Sequence, residues 1–297
     1  MHVQRFLGSA WASVHGPSEP RRLLVWALEA RFAGLMAGPG PRAMAWPAIH
    51  AASLDLPFEF AAVRAGSVFA QQSATGGLAS AKEGERQVAV QAVRDAVATA
   101  RVLGCPTVIL EPGIVPMLGE IECEDLGDTS YRWTPERAQA LVARRRAVRN
   151  GALDRACREV YALVKSFPEM EFCLCSGRSL RTLADRATLQ DLFEDLAQLR
   201  LGYWHDAAVA ARRQQVLGEA QGEWLETFAN RCRGFSLGDA SPDGMYLPPG
   251  AGGVDYGLLA SYVPRTGAPS PVVLELDPSV PPSELPGMRA CLDKHGL

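Results

Sequence analysis

A chain of 297 residues, 47% hydrophobic and 21% charged, has the make-up of a soluble globular protein with room for a large core. Its formal net charge of −3 offers no basic footprint, so no nucleic-acid partner is expected, and no apolar run approaches the length of a membrane span, so no membrane partner is expected either. Seven cysteines, an odd number with no Cys-x-x-Cys pair, and an N-terminus without the build of a signal peptide predict free thiols in the cytoplasm.

The run Phe6 to Val14 reads as a first strand ending at His15, and residues 21–32 as an amphipathic helix. Residues 34–37 predict a short strand inside a Gly/Pro-rich connection. Two further short strands are expected over 56–63 and 66–71, followed by a loop at 73–77. Apolar residues at helical spacing over 83–103, stopped by Gly104, predict a helix. A buried strand over 105–110 follows and turns out through Glu111-Pro-Gly113. Residues 114–133 carry Glu120, Glu122, Glu124, Asp125 and Asp128 without periodicity and read as an acidic loop over the mouth of the site. Thr134-Pro135-Glu136 opens a helix that runs to about Lys165.

Residues 171–175 form the next strand, along which Cys173 and Cys175 are expected to face opposite ways. Helix over 180–199, strand over 201–205 and a helix-rich stretch over 207–233 come next. A strand over 235–237, a Gly/Pro loop over 239–253, a helix over 256–262, a strand over 272–276 and a closing helix over 282–295 complete the chain. This gives about eight strand–helix units with apolar, non-alternating strands, the pattern of a parallel sheet covered by helices. No Gly-x-Gly-x-x-Gly stands at a strand-to-helix turn. The prediction is therefore an α/β fold, a single (β/α)8 TIM barrel over 1–297 with an acidic loop insertion around 114–133.

Several of these strands end on ionisable groups: Ile109-Leu-Glu111, Leu201-Gly-Tyr-Trp-His205-Asp206, Phe235-Ser-Leu-Gly-Asp239 and Val272-Val-Leu-Glu275. In a barrel, strand C-termini carry the chemistry. Glu275, between two leucines, is costly to bury unless it is paired or coordinates something. Glu275 and Asp206 are the candidate catalytic residues. Glu111, His205, Asp239, Arg178 and His15 are candidates for holding substrate, with Arg178 suited to an anionic group. Each has a structural alternative: His205 packed in the wall, Asp239 capping its loop, Arg178 in an ion pair, Glu111 paired with an arginine. The run Pro248 to Gly253 reads as a shaped loop before a phosphate cradle.

The helix and strand of 96–113 with Leu-Gly-Cys-Pro and Glu-Pro-Gly, the strand ending at Asp206, the strand Phe235 to Asp239, the loop Pro249 to Tyr256 and the last strand ending at Glu275 together resemble the xylose-isomerase-like sugar phosphate isomerase/epimerase family. The resemblance runs from about Gly66 onward. It implies a (β/α)8 barrel with a divalent metal, Mn, Mg, Zn or Co, held at the C-terminal face by Glu, Asp, His and Glu from strands five to eight. Carried over, Asp206 and Glu275 match two of these. The fifth-strand Glu falls near Cys175 and the seventh-strand His on Ser236. Two carboxylates alone hold a hard cation poorly, so the metal is either absent or held by a rearranged site.

The resemblance implies an isomerase or epimerase of carbohydrate metabolism, moving a proton next to a carbonyl on a sugar-like small molecule. The alternative is a non-catalytic or metal-free relative that binds a sugar-like ligand or a protein partner. A multi-zinc endonuclease of the same barrel type ranks last, because only His15 and His205 lie near strand ends.

Overall fold

Short apolar strands of three to six residues cannot bury both faces alone, and here they do so by closing on one another under a coat of helices. A computed structural model describes residues 3–66, 76–264 and 270–297. Its barrel strands are β1 (Arg5–Gly8), β2 (Gly34–Ala37), β3 (Glu59–Arg64), β4 (Thr107–Leu110), β5 (Glu171–Cys175), β6 (Leu201–Asp206) and β7 (Cys232–Leu237). A hairpin of β8 (Asp239–Ser241) and β9 (Gly244–Leu247) follows, and β10 (Val272–Leu274) closes the barrel between β7 and β1. All eight barrel strands run parallel. The expected (β/α)8 architecture is therefore present. Among the described residues no helix is long and apolar enough to cross a membrane.

Helices Pro20–Glu29, Glu83–Leu103, Tyr256–Tyr262 and Leu285–His295 lie where periodicity places them, the second ending before Gly104. The helix expected from Thr134 is two, Pro135–Val148 and Asn150–Ser166, either side of Arg149.

Several expectations differ from what forms. The first strand stops at Gly8, and Ser9–His15 is helical. An apolar run has no decisive period, and here Trp11 is anchored by its indole N–H donating to the Val280 carbonyl at 2.7 Å. Helix is expected from 180, yet it spans only Arg186–Asp195. The backbone before it is committed elsewhere: Arg145 donates to the carbonyls of Leu180 and Thr182, Val115 N–H to that of Arg181, and Leu183 N–H to that of Gly113. Residues 239–247 form the β8–β9 hairpin where a loop is expected. The strand expected over 66–71 lies outside the described residues apart from Gly66.

Side chains two apart along a strand share a face, and this sorts the barrel interior. Phe6, Met36, Ala62, Ile109, Cys173, Cys175, Trp204 and Val273 form one buried cluster. Cys173 and Cys175 thus share the inner face, a correction that follows from their spacing. Trp204 fills the space opposite Gly234, where a Cβ would stand 2.3 Å from the indole ring. At the C-terminal mouth the last inward positions of β3, β5, β6, β7 and β10 are Arg64, Cys175, Asp206, Ser236 and, one residue beyond its strand, Glu275.

Candidate active site

Arg64 ends β3, and the arginine is 5% exposed. Its guanidinium donates from Nη2 to Glu275 Oε2 at 2.9 Å and to Ser236 Oγ at 3.2 Å, and from Nη1 to Cys175 Sγ at 3.3 Å. Four barrel strands therefore meet at one cation. Burial alone would weaken the guanidinium's hold on its proton, but the negative charge of Glu275 raises its pKa above the usual arginine value, so it stays charged.

Asp206 ends β6, fully buried. Its Oδ1 accepts from Val209 N–H at 3.1 Å, capping the helix Ala207–Leu217, and its Oδ2 accepts from the Tyr246 hydroxyl at 3.1 Å. Burial, with the negative charge of Glu275 added, pushes its carboxyl up to about 6, against the pull of Arg64 and both hydrogen bonds. Ser236 is a double acceptor, taking the indole N–H of Trp204 at 2.9 Å as well as Arg64. A narrow cleft of about 10 Å³, room for one water-sized group, opens beside Arg64 and Glu275 and is walled by Ser9, Ala10, Met36, Gly38 and Pro39.

Of the residues predicted for the site, Asp206 and Glu275 are brought together. Glu111 reaches toward the segment after β5, where a Cβ on Gly177 would lie 2.5 Å from its Oε2. His205, His15 and Asp239 are placed elsewhere, while Arg178 lies close enough to Tyr246 and Asp206 for their charges to raise its pKa against the effect of burial. His205 alternates with Asp206 and turns to the outer side, where its Nδ1 meets the Tyr203 hydroxyl at 3.1 Å and its ring meets Phe235. Burial pushes its pKa down to about 3, which keeps the ring neutral. His15 ends a helix instead of a strand; its ring packs on Trp11 and its Nε2 lies 2.8 Å from the Pro278 carbonyl.

Asp239 faces its own loop, accepting from the backbone of Ala240, Gly250 and Val254. Arg178 pairs in bidentate fashion with Asp125 at 3.0 and 2.7 Å, and Arg181 with Glu124 at 2.7 Å, so two carboxylates of the acidic stretch hold it to the segment after β5. Sequence reasoning missed Arg64 and Tyr246. The signal for Arg64 was present: an apolar strand, Phe60 to Val63, ending on one charge before Ala-Gly.

The mouth does not fit a divalent metal. Burial holds the Cys175 thiol well above its usual pKa, and Ser236 offers a neutral hydroxyl already accepting two hydrogen bonds. Glu275 is ion-paired, and a charged guanidinium stands among all of these groups. A hard dication needs several oxygen or imidazole ligands and no cation beside them. Among the described residues no group of three or more His, Cys, Asp or Glu is arranged to hold a metal.

The 3-keto-D-glucoside 4-epimerase of E. coli superimposes with a TM-score of 0.67 at 9% identity, over 98% of this chain and 99% of that one. The chain shares the closed (β/α)8 barrel fold of that epimerase. A D-tagatose 3-epimerase-like protein matches with a TM-score of 0.67 at 15% identity, over 98% and 96% of the two chains. A family 2 AP endonuclease from Brucella melitensis matches with a TM-score of 0.59 at 15% identity, over 94% of each. These likenesses show a fold that serves more than one reaction. No family model and no curated protein matches the sequence.

Proposed function

We propose that the barrel mouth moves a proton on a carbon next to a carbonyl in a sugar-like small molecule. The observation that carries this reading is the pairing of two buried carboxylates, Asp206 and Glu275, from neighbouring regions of one barrel mouth. They differ in state. Glu275 is ion-paired and serves as the base that accepts the carbon-bound proton, while the electron pair of the broken C–H bond moves toward the carbonyl oxygen. Asp206, which keeps its proton up to about pH 6, returns one to carbon, so that a C–H bond is broken and another made with no net redox change. Glu111 lies on the side of the mouth next to Gly177 and is assigned to a substrate hydroxyl.

The epimerase neighbours support ketoses and their derivatives as the substrate class. The reading takes the chain as one working domain with residues 114–133 as its insertion. Seven free cysteines support a cytoplasmic setting.

A second reading, a relative that binds a sugar-like ligand without turning it over, is favoured by the ion pair that occupies Glu275 and by the narrowness of the cleft. One experiment separates the two. The protein is incubated with a panel of ketoses and ketose phosphates in D2O, and deuterium incorporation at carbon is followed by NMR. Incorporation that disappears in Glu275→Gln supports proton transfer; incorporation retained in that variant overturns the assignment of Glu275. A sugar that raises the melting temperature with no incorporation supports the binder.

A further inference from the structure

The converging strand ends of this barrel are occupied by a cation of the protein's own. Arg64 reaches from β3 across the mouth to groups on β5, β7 and the end of β10, with contacts of 3.3 Å to Cys175 Sγ, 3.2 Å to Ser236 Oγ and 2.9 Å to Glu275 Oε2. Arginine is suited to this place: its charge is permanent, its fork is planar, and it is less strongly hydrated than an ammonium. The neighbours are matched to it. A carboxylate supplies the counter-charge, while a serine hydroxyl and a neutral thiol accept from the remaining N–H groups without adding charge. Where a dication would need further anionic ligands, one guanidinium with one carboxylate is already neutral.

The guanidinium also has capacity left. Among the described residues, Arg64 Nε is buried and has no hydrogen-bond partner. Arg64 and Glu275 both wall the narrow cleft, which has room for about one oxygen-sized group. An unmade buried N–H is costly, on the order of 1–3 kcal/mol, and a ligand oxygen that enters the cleft as the guanidinium shifts toward it is a means of satisfying it.

We propose that Arg64 is the resident electrophile of this barrel mouth: its guanidinium receives the substrate's carbonyl oxygen directly, and the site works without binding a divalent metal. The receiving role rests on the proton-transfer reading above; the metal-independence does not. As the C–H bond breaks, negative charge gathers on the carbonyl oxygen, and a guanidinium fixed before the reaction stabilises it without the reorganisation that water would need.

The test has two arms. In the first, the purified wild-type protein is titrated with Mn²⁺ and free Mn²⁺ is followed by EPR. No stoichiometric uptake is expected at millimolar Mn²⁺, and uptake of one equivalent overturns the proposal whether or not any substrate is known. The triple variant Arg64→Ala, Cys175→Glu, Ser236→His removes the cation and supplies two ligands beside Asp206 and Glu275; it is expected to take up one Mn²⁺. A variant with native circular dichroism that takes up none overturns the idea that Arg64 holds a metal's place, and if the variant does not fold the wild-type titration decides.

In the second arm, Arg64→Ala is assayed for deuterium incorporation with and without added guanidinium ion. Loss of incorporation, restored at least tenfold by guanidinium and not by Mn²⁺, is expected; full activity of Arg64→Ala overturns the electrophile role. If the wild-type protein shows no incorporation with any sugar, the proton-transfer reading fails, while the Mn²⁺ titration still judges the resident cation.

Discussion

Arg64 Nη2 and Glu275 Oε2 face each other at 2.9 Å across the barrel mouth, with only 5% of either side chain exposed. A buried pair of this kind is destabilised far more by the loss of one partner than by the loss of both. Glu275→Ala leaves a guanidinium buried with no counter-charge on its own side of the mouth, and is expected to cost roughly 3–5 kcal/mol. The double variant Arg64→Met, Glu275→Leu should lie well above either single variant in stability. Urea unfolding of the four proteins checks this; additive losses would show that the two side chains do not act as a pair.

Asp206 ties the stability of the fold to pH. Its carboxyl is held at about 6 against an ordinary 3.8, chiefly by burial, so the folded chain binds this proton more tightly than the unfolded chain does. Stability from this group is fully present below about pH 3.8 and is lost as pH rises through about 6. Replacement by asparagine removes that loss. The stability of Asp206→Asn relative to wild type should therefore climb between about pH 4 and 6 and level off above, as measured by denaturant midpoints across the range.

The same proton sets the direction of the rate profile. If Asp206 donates to carbon, its active form is the protonated one. Deuterium incorporation should then fall with rising pH above about 6, approaching tenfold per unit, and the inflection should be absent in Asp206→Asn. A rate that instead rises through pH 6 would reverse the roles of Asp206 and Glu275.

Much of the barrel was legible because its strands are apolar on both faces and its helices have a clear period; β5 and the helices Glu83–Leu103 and Tyr256–Tyr262 form where spacing places them. What was not legible depends on contacts distant in sequence. Ser9–His15 is helical around a tryptophan anchored to Val280, and the backbone of 180–183 is claimed by Arg145, Gly113 and Val115. In the site, Asp206 and Glu275 could be found because each carboxylate ends an apolar strand. His205 shares that strand end with Asp206, and alternation alone sends it outward. Arg64 has the same signature with the opposite sign, and a search for carboxylates and metal ligands passes over it.

The loop after β7 offers a last prediction. Asp239 is fully buried, and its two oxygens accept from three backbone N–H groups, Ala240 at 2.8 Å, Gly250 at 2.9 Å and Val254 at 3.0 Å. Three donors answered by one carboxylate fix the return from the β8–β9 hairpin, the hairpin that carries Tyr246 to Asp206. Asp239→Ala leaves those donors unmet, at about 1–3 kcal/mol for each one that stays buried. Asp239→Asn keeps an oxygen at Oδ1 for Ala240 and Val254 but turns an NH2 toward the N–H of Gly250. Amide hydrogen exchange should therefore speed up at Gly250 in both variants and at Val254 chiefly in Asp239→Ala. Because the hairpin positions Tyr246, the pH at which Asp206 titrates should also rise in Asp239→Ala as that hydrogen bond loosens. Unchanged exchange at both amides would show that the loop holds its shape without the carboxylate.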